Sequence, residues 1–206
     1  MSQLILEPPA TVSHCTLHLR PAVELTDEQF FALCQINGDL RLERTAEGDL
    51  IVMPPTGIET GARNADITAQ VHHWSKRDGR GVAFDSSTGF KLPIGSERSP
   101  DAAWVLCSRL AAFTPEQKQK FLALAPDFVI ELKSPSDALA DVQAKMDEYI
   151  ASGVRLGWLI NPETRQVDIY RPNIAIEILE NPAAVSGEPE LPGFVLDLRE
   201  IWEPNI

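Results

Sequence analysis

The sequence predicts a mixed α/β fold, and three observations carry that prediction. Phe128, Val129, Ile130 and Leu132 form a short apolar run closed by Ser134-Pro135, the pattern of an interior strand buried on both faces. Ile67, Val71 and Trp74 recur at helical spacing and give the segment 58–77 a buried stripe. Strand-like segments and turn residues fill both ends of the chain without strict βαβ alternation.

The elements follow in order. "TVSHCTLHLRP" alternates as a strand with His14, Thr16 and His18 on one face. "TDEQFFALCQIN" predicts a short helix: Thr26 caps it, acids fill the first turn, and Phe30, Phe31 and Leu33 are its burying residues. "LRLERTAEGDLIVMPP" predicts a hairpin turning at Glu47-Gly48-Asp49, with Leu40 and Leu42 on one face of its first strand. The long helix then ends at Gly79 and Gly81. "VAFDSSTGFKLP" predicts a second hairpin around Ser86 to Gly89, and "SPDAAWVLC" a strand entered through Pro100. Thr114-Pro115-Glu116 opens a helix expected to run to about Ala125, with Pro at its first position. After the interior strand come a helix over 136–152 closed by Gly153, and strands in "RLGWLINPE", "QVDIYRP" and "AIEILE". "ENPAAVSGEPELPG" predicts a loop before a last short strand at 194–198.

Bulk properties narrow the function classes. The 206 residues suffice to bury a substantial core. No stretch approaches the roughly 20 apolar residues of a membrane helix, and "MSQLILEPPA" lacks the basic and apolar regions of a signal peptide. Cys15, Cys34 and Cys107, odd in number and far apart, predict free thiols and a cytoplasmic protein. Thirty acidic against 18 basic residues give a formal net charge of −12, which argues against strong non-specific binding to nucleic acid or anionic membrane. A local basic edge drawn from Lys76, Arg77, Arg80, Lys91 and Arg98 is compatible with that total.

The interior strand carries two charges that its burial makes costly unless they are paired or bind a ligand. Glu131 and Lys133, two apart, share one face near the strand's C-terminal end, where open α/β sheets border their ligand crevice. If the strand after Pro100 is its neighbour, Asp101 converges on Glu131. Two carboxylates at one point resist joint ionisation, and a hard divalent cation relieves that conflict. With a lysine to orient water or neutralise phosphate charge, Asp101, Glu131 and Lys133 have a coherent use in metal-assisted phosphodiester hydrolysis. A structural Glu131–Lys133 ion pair, with Asp101 a turn residue, is the plain alternative. His72 and His73, adjacent on a helix, point apart, so one is expected to be exposed and one packed. His14, Cys15 and His18 match no zinc spacing.

"SPD" followed about 30 residues later by "IELKS" resembles the motif of the PD-(D/E)XK nuclease superfamily. "PDFVIELKSPSD", the spaced Asp141, Lys145 and Tyr149, and "ASGVRLGWLINPETRQVDIYRP" resemble, more narrowly, the Uma2 family of restriction-endonuclease-like proteins. "MPPTGIETGARNADITAQVHHW" is similar to that family's first helix, and the resemblance spans about 39–198. It implies a restriction-endonuclease-like core, a central mixed β-sheet flanked by helices, over about 56–162 of a single domain, 1–206, with an N-terminal elaboration over about 1–55 and a strand-rich extension over about 163–206.

The resemblance further implies a nuclease using Mg²⁺ or Mn²⁺ on nucleic acid, DNA first, with no membrane partner. Asp101 and Glu131 would bind metal, Lys133 would complete the catalytic set, and Glu59 would support the metal. Lys145 and Tyr149 would stand near the site, while Gln143 would face either the metal or the core. Glu59 also suits the helix dipole, and Asp141 with Lys145 suits an ordinary surface pair. A homodimer is expected, with Trp158, Ile160 or the C-terminal strands as its interface. A nuclease fold retained for binding without turnover is the rival, favoured by the net charge. A carboxylate-pair glycosidase, which gives Lys133 no role, ranks last.

Overall fold

The computed structural model describes residues 14–206. The absence of a signal peptide and residues 11–13 of the first expected strand concern positions outside the described residues.

In chain order the elements are β1 (Cys15–Leu17), α1 (Asp27–Ile36), β2 (Arg41–Arg44), β3 (Leu50–Met53), α2 (Ile58–Asp78), β4 (Gly81–Asp85), β5 (Phe90–Lys91), β6 (Glu97–Arg98) and β7 (Ala102–Leu106). There follow α3 (Cys107–Leu110), a 3₁₀ turn at Gln117–Gln119, β8 (Leu122–Ala123), β9 (Phe128–Leu132), α4 (Leu139–Ala151), β10 (Leu156–Asn161) and β11 (Gln166–Tyr170). The chain closes with β12 (Glu177–Glu180), β13 (Ala184–Ser186), β14 (Val195–Asp197) and α5 (Arg199–Trp202).

The central sheet has the order β12-β11-β10-β9-β7-β4, with β9 and β10 parallel and the other neighbours antiparallel. A second mixed sheet, β1-β3-β2-β6-β5-β8, is parallel only between β5 and β8. This is the mixed α/β class that the sequence predicts. β9 lies inside the central sheet with all five residues buried, as its unbroken apolar run requires.

Side chains alternate across β9 into two cores. Phe128, Ile130 and Leu132 pack with Ile67, Val71 and Trp74 of α2, and with Phe194 and Ile201. There Trp158 stacks on Phe194 at 5.6 Å and meets Phe128 edge-on at 4.8 Å; each such ring contributes roughly 1.5–3 kcal/mol by burial. Val129 faces the other way, with Met146 and Tyr149 of α4 and with Phe90 and Leu92. Local signals place the helices. Thr26 and Gln29 form a reciprocal capping box at α1, and Gly79 ends α2 in the left-handed conformation at φ 72°.

Four expectations need correction. "VAFDSSTGFKLP" is no hairpin: β4 pairs with β7, whereas β5 joins β6 and β8 in the other sheet. The helix expected from Thr114 stops after one 3₁₀ turn. Its capping pair is real, since Thr114 and Gln117 exchange side-chain and backbone bonds, but Phe121 packs on Phe30 and Phe31 and β8 pairs with β5, so tertiary contacts outweigh the local signal. The expected loop 180–193 contains β13, paired with β14. Trp158 and Ile160 are wholly buried in the core and offer no interface.

Candidate active site

The site forms where β7 begins and β9 ends. Ala102 pairs with Ile130, so the antiparallel register brings Asp101 alongside Glu131. Asp101 Oδ2 accepts the Leu132 N–H at 2.9 Å, fixing the acid on the neighbouring strand. Glu131 follows the alternation of β9 onto the Val129 face and so points toward α4. There the Tyr149 hydroxyl donates to Glu131 Oε1 at 2.8 Å, and Lys145 Nζ stands 2.9 Å from the same oxygen. Lys145 and Tyr149 reach it together because they lie four apart on one helix face.

The second sheet supplies the rest. Arg41 and Glu43 alternate onto one face of β2. Arg41 Nη1 donates to Asp101 Oδ1 at 3.0 Å, and its Nη2 to the Ser99 carbonyl. Glu43 Oε1 accepts the Ser99 N–H at 2.9 Å and the Lys145 amine at 2.9 Å, while its Oε2 takes Arg98 at 3.2 Å. Arg98 also donates to both Glu148 oxygens, at 2.9 and 2.5 Å. Asn64 of α2 offers its amide nitrogen to Asp101 at 3.4 Å.

This is a buried charge network, with Glu43 2%, Asp101 6% and Glu131 5% exposed. Four carboxylates (Glu43, Asp101, Glu131, Glu148) face three cations (Arg41, Arg98, Lys145), leaving one negative charge in excess. The excess falls on Glu131. Burial pushes its carboxyl up to about 7 against the pull of Lys145, with Asp101 and Glu43 adding repulsion. Glu43 goes the other way. Burial opposes its ionisation, but Lys145, Arg98 and Arg41 overcome it and bring the carboxyl down to about 2. Burial and the charge of Glu131 hold the Tyr149 hydroxyl well above its ordinary range, so it remains a donor.

The residues foreseen from sequence are thus partly gathered. Asp101, Glu131, Lys145 and Tyr149 meet. Lys133 does not reach Glu131: its buried amine binds Glu163 at 2.7 Å and the Ser134 carbonyl at 3.2 Å. Glu59, its side chain 65% exposed, pairs with Arg63 at 3.2 Å. The amine of Lys145 serves Glu43 and Glu131 rather than Asp141, which is exposed, and Gln143 is half-buried. Both His72 and His73 are exposed, where one was expected to pack. Lys76, Arg77 and Arg80 form no basic edge at the site. Gly81 pairs with Leu106, at the end of β7 away from Asp101.

Sequence reasoning missed Arg41, Glu43, Asn64, Ser99 and Glu148, and placed Arg98 only on a rim. One signal was present: in "LRLE" Arg41 and Glu43 alternate with leucines, and burial of β2 would oblige both charges to find partners.

Among the described residues no group of three or more His, Cys, Asp or Glu side chains is placed to hold a metal ion. Asp101 and Glu131 nevertheless fit a small hard cation. They are two adjacent carboxylates in a network short of one positive charge, and Mg²⁺ commonly takes one or two carboxylates while keeping several waters.

The family described as "Uma2: Putative restriction endonuclease" matches residues 27–199. Among solved structures, the chain is similar to "a putative nuclease belonging to DUF820" from Anabaena variabilis. That match has 21% identity and a TM-score of 0.66, and covers 78% of this chain and 89% of the other. At that identity the likeness concerns the fold. No curated protein matches the chain. No helix of the described residues is long and apolar enough to cross a membrane.

Proposed function

The chain belongs to the Uma2 family, and on that premise we propose that it hydrolyses phosphodiester bonds of nucleic acid, DNA first, using a divalent cation held by Asp101 and Glu131. The observation that carries this reading is the pairing of β7 with β9, which sets two buried acids side by side in a network with one uncompensated negative charge. Mg²⁺ or Mn²⁺ there would supply positive charge to the phosphate and an activated water. Tyr149 orients Glu131 by its hydrogen bond, and Lys145 stands where it offsets charge developing beside that acid. Arg41 holds Asp101 through Nη1 and the Ser99 carbonyl through Nη2, which fixes the metal-side acid on the neighbouring strand. Lys145, rather than Lys133, fills the lysine position next to Glu131. Lys133 and Glu59 lie at the periphery.

A second reading, a nuclease fold that binds without turnover, draws on one observation: Arg41 and Lys145 already pair the two acids. Incubating plasmid, single-stranded DNA and RNA with Mn²⁺ separates the two. Cleavage that requires metal and disappears in Asp101→Asn and Glu131→Gln supports hydrolysis. Binding of any of these nucleic acids without cleavage, equal in wild type and variants, supports the second reading.

A further inference from the structure

Glu43 lies outside the adjacent strands that carry Asp101 and Glu131, yet it touches what fixes both. Its Oε1 accepts the Ser99 N–H, two residues before Asp101, and the Lys145 amine that rests on Glu131. Arg41, on the same face of β2, takes the Ser99 carbonyl and Asp101 Oδ1. The link 99–101 between β6 and β7 is therefore held at both the N–H and the carbonyl of Ser99 by one strand of the second sheet. Lys145 can bridge the two acids only while Glu43 remains charged and in place, because its ammonium is otherwise free to turn wholly toward Glu131.

We propose that Glu43 is a positioning residue of the site: it sets the Asp101-bearing link between β6 and β7 through Ser99 and shares the Lys145 amine with Glu131. The proposal rests on the hydrolytic reading above for its kinetic consequence, but its geometric content stands apart. Glu43, 2% exposed, acts through Ser99 and Lys145. A merely structural acid in this sheet is available for comparison. Glu97 is equally buried, and its charge is taken by Arg44 at 2.6 and 2.5 Å, away from Asp101 and Glu131.

The test compares wild type, Glu43→Gln and Glu97→Gln in Mn²⁺-dependent plasmid cleavage, with melting temperature recorded for each. Glu43→Gln should lower kcat by about 10–100-fold, the usual cost of losing a residue that orients a site ligand, with KM little changed. Glu97→Gln should lower the melting temperature without that loss in kcat. Equal kcat in the two variants overturns the proposal. A second readout needs no cleavage: the ¹⁵N-resolved ammonium signal of Lys145, protected from exchange in wild type, should be lost in Glu43→Gln and retained in Glu97→Gln. If the wild type cleaves nothing, the hydrolytic reading fails, and this signal alone decides for or against Glu43 as the holder of Lys145. Should Glu43→Gln fail to fold, Glu43→Asp, which keeps the charge one methylene shorter, replaces it in both measurements.

Discussion

The amine of Lys145 stands 2.9 Å from Glu131 Oε1 and, at the same distance, from Glu43 Oε1. One mostly buried cation thus holds acids from two different sheets, and Glu43 lies 102 residues from that lysine in sequence. The cost of removing a partner from such a set is set by what remains unpaired, more than by the strength of any one contact.

Lys145→Met should destabilise the fold by about 3–5 kcal/mol, the range for leaving a buried charge without its partner. Lys133→Met removes a pair whose acid, Glu163, is 51% exposed. It should cost about 1 kcal/mol or less in lost pairing. Urea unfolding of both variants checks this, and equal losses would contradict the assignment of Lys145 to the network.

The carboxyl of Glu131 holds its proton to about pH 7 in the folded chain, against an ordinary value of 4.5. Between those values the folded state binds more protons than the unfolded one, so stability is complete below the lower value and falls as pH rises through the upper. The melting temperature should therefore decline from about pH 5 to about pH 8 in metal-free buffer, and Glu131→Gln should remove most of that decline. Glu43, lowered to about 2, acts in a separate window. Its contribution is present above 4.5 and is lost as pH falls toward 2. A wild-type profile that is flat from pH 5 to 8 would refute the raised carboxyl.

Mn²⁺ should raise the melting temperature of the wild type, and more so near pH 8 than near pH 5.5, where Glu131 keeps its proton and binds metal poorly. At a hundredfold its Kd, the ion would add about 2.7 kcal/mol. Asp101→Asn and Glu131→Gln should abolish the shift. An undiminished shift in both variants would place the ion elsewhere.

Tyr149→Phe deletes the hydroxyl that donates to Glu131 and leaves the ring in the core. A loss of about 1 kcal/mol is expected from the deleted hydrogen bond, since Lys145 still stands on the same oxygen. Thermal unfolding together with a crystal structure of the variant would test it. No change in stability would mean that Lys145 alone satisfies the acid.

Much of this arrangement can be read from local sequence, and the limits follow from range. The apolar run 128–132 and the Pro100-Asp101 strand start suffice to place two strands, and their adjacency brings Asp101 to Glu131. The spacing of Lys145 and Tyr149 puts both on one helix face. What short-range patterns cannot show is which distant charges complete a buried network. Glu43 and Arg98 are 55 residues apart, and Arg41 and Asp101 are 60 apart. Lys133 shows the converse. It stands two residues after Glu131, yet one residue beyond the end of β9 its amine turns to Glu163. At 114–125 the capping signal is genuine and forms, and still a two-residue strand pairing and Phe121 decide the outcome.

The bridge from β2 to α4 also bears on how the molecule comes apart. Separating the second sheet from α4 and the central sheet at this point would break the Glu43–Lys145, Arg98–Glu148 and Arg41–Asp101 pairs at once, so no inexpensive partial opening exists there. Amide hydrogens of β2 and of β9 should accordingly exchange with solvent at similar, slow rates, as members of one cooperative unit. The short β12 edge, tied only to β11, should exchange independently and sooner. The charges that furnish the candidate site thereby also fasten the N-terminal sheet to the strands beneath it.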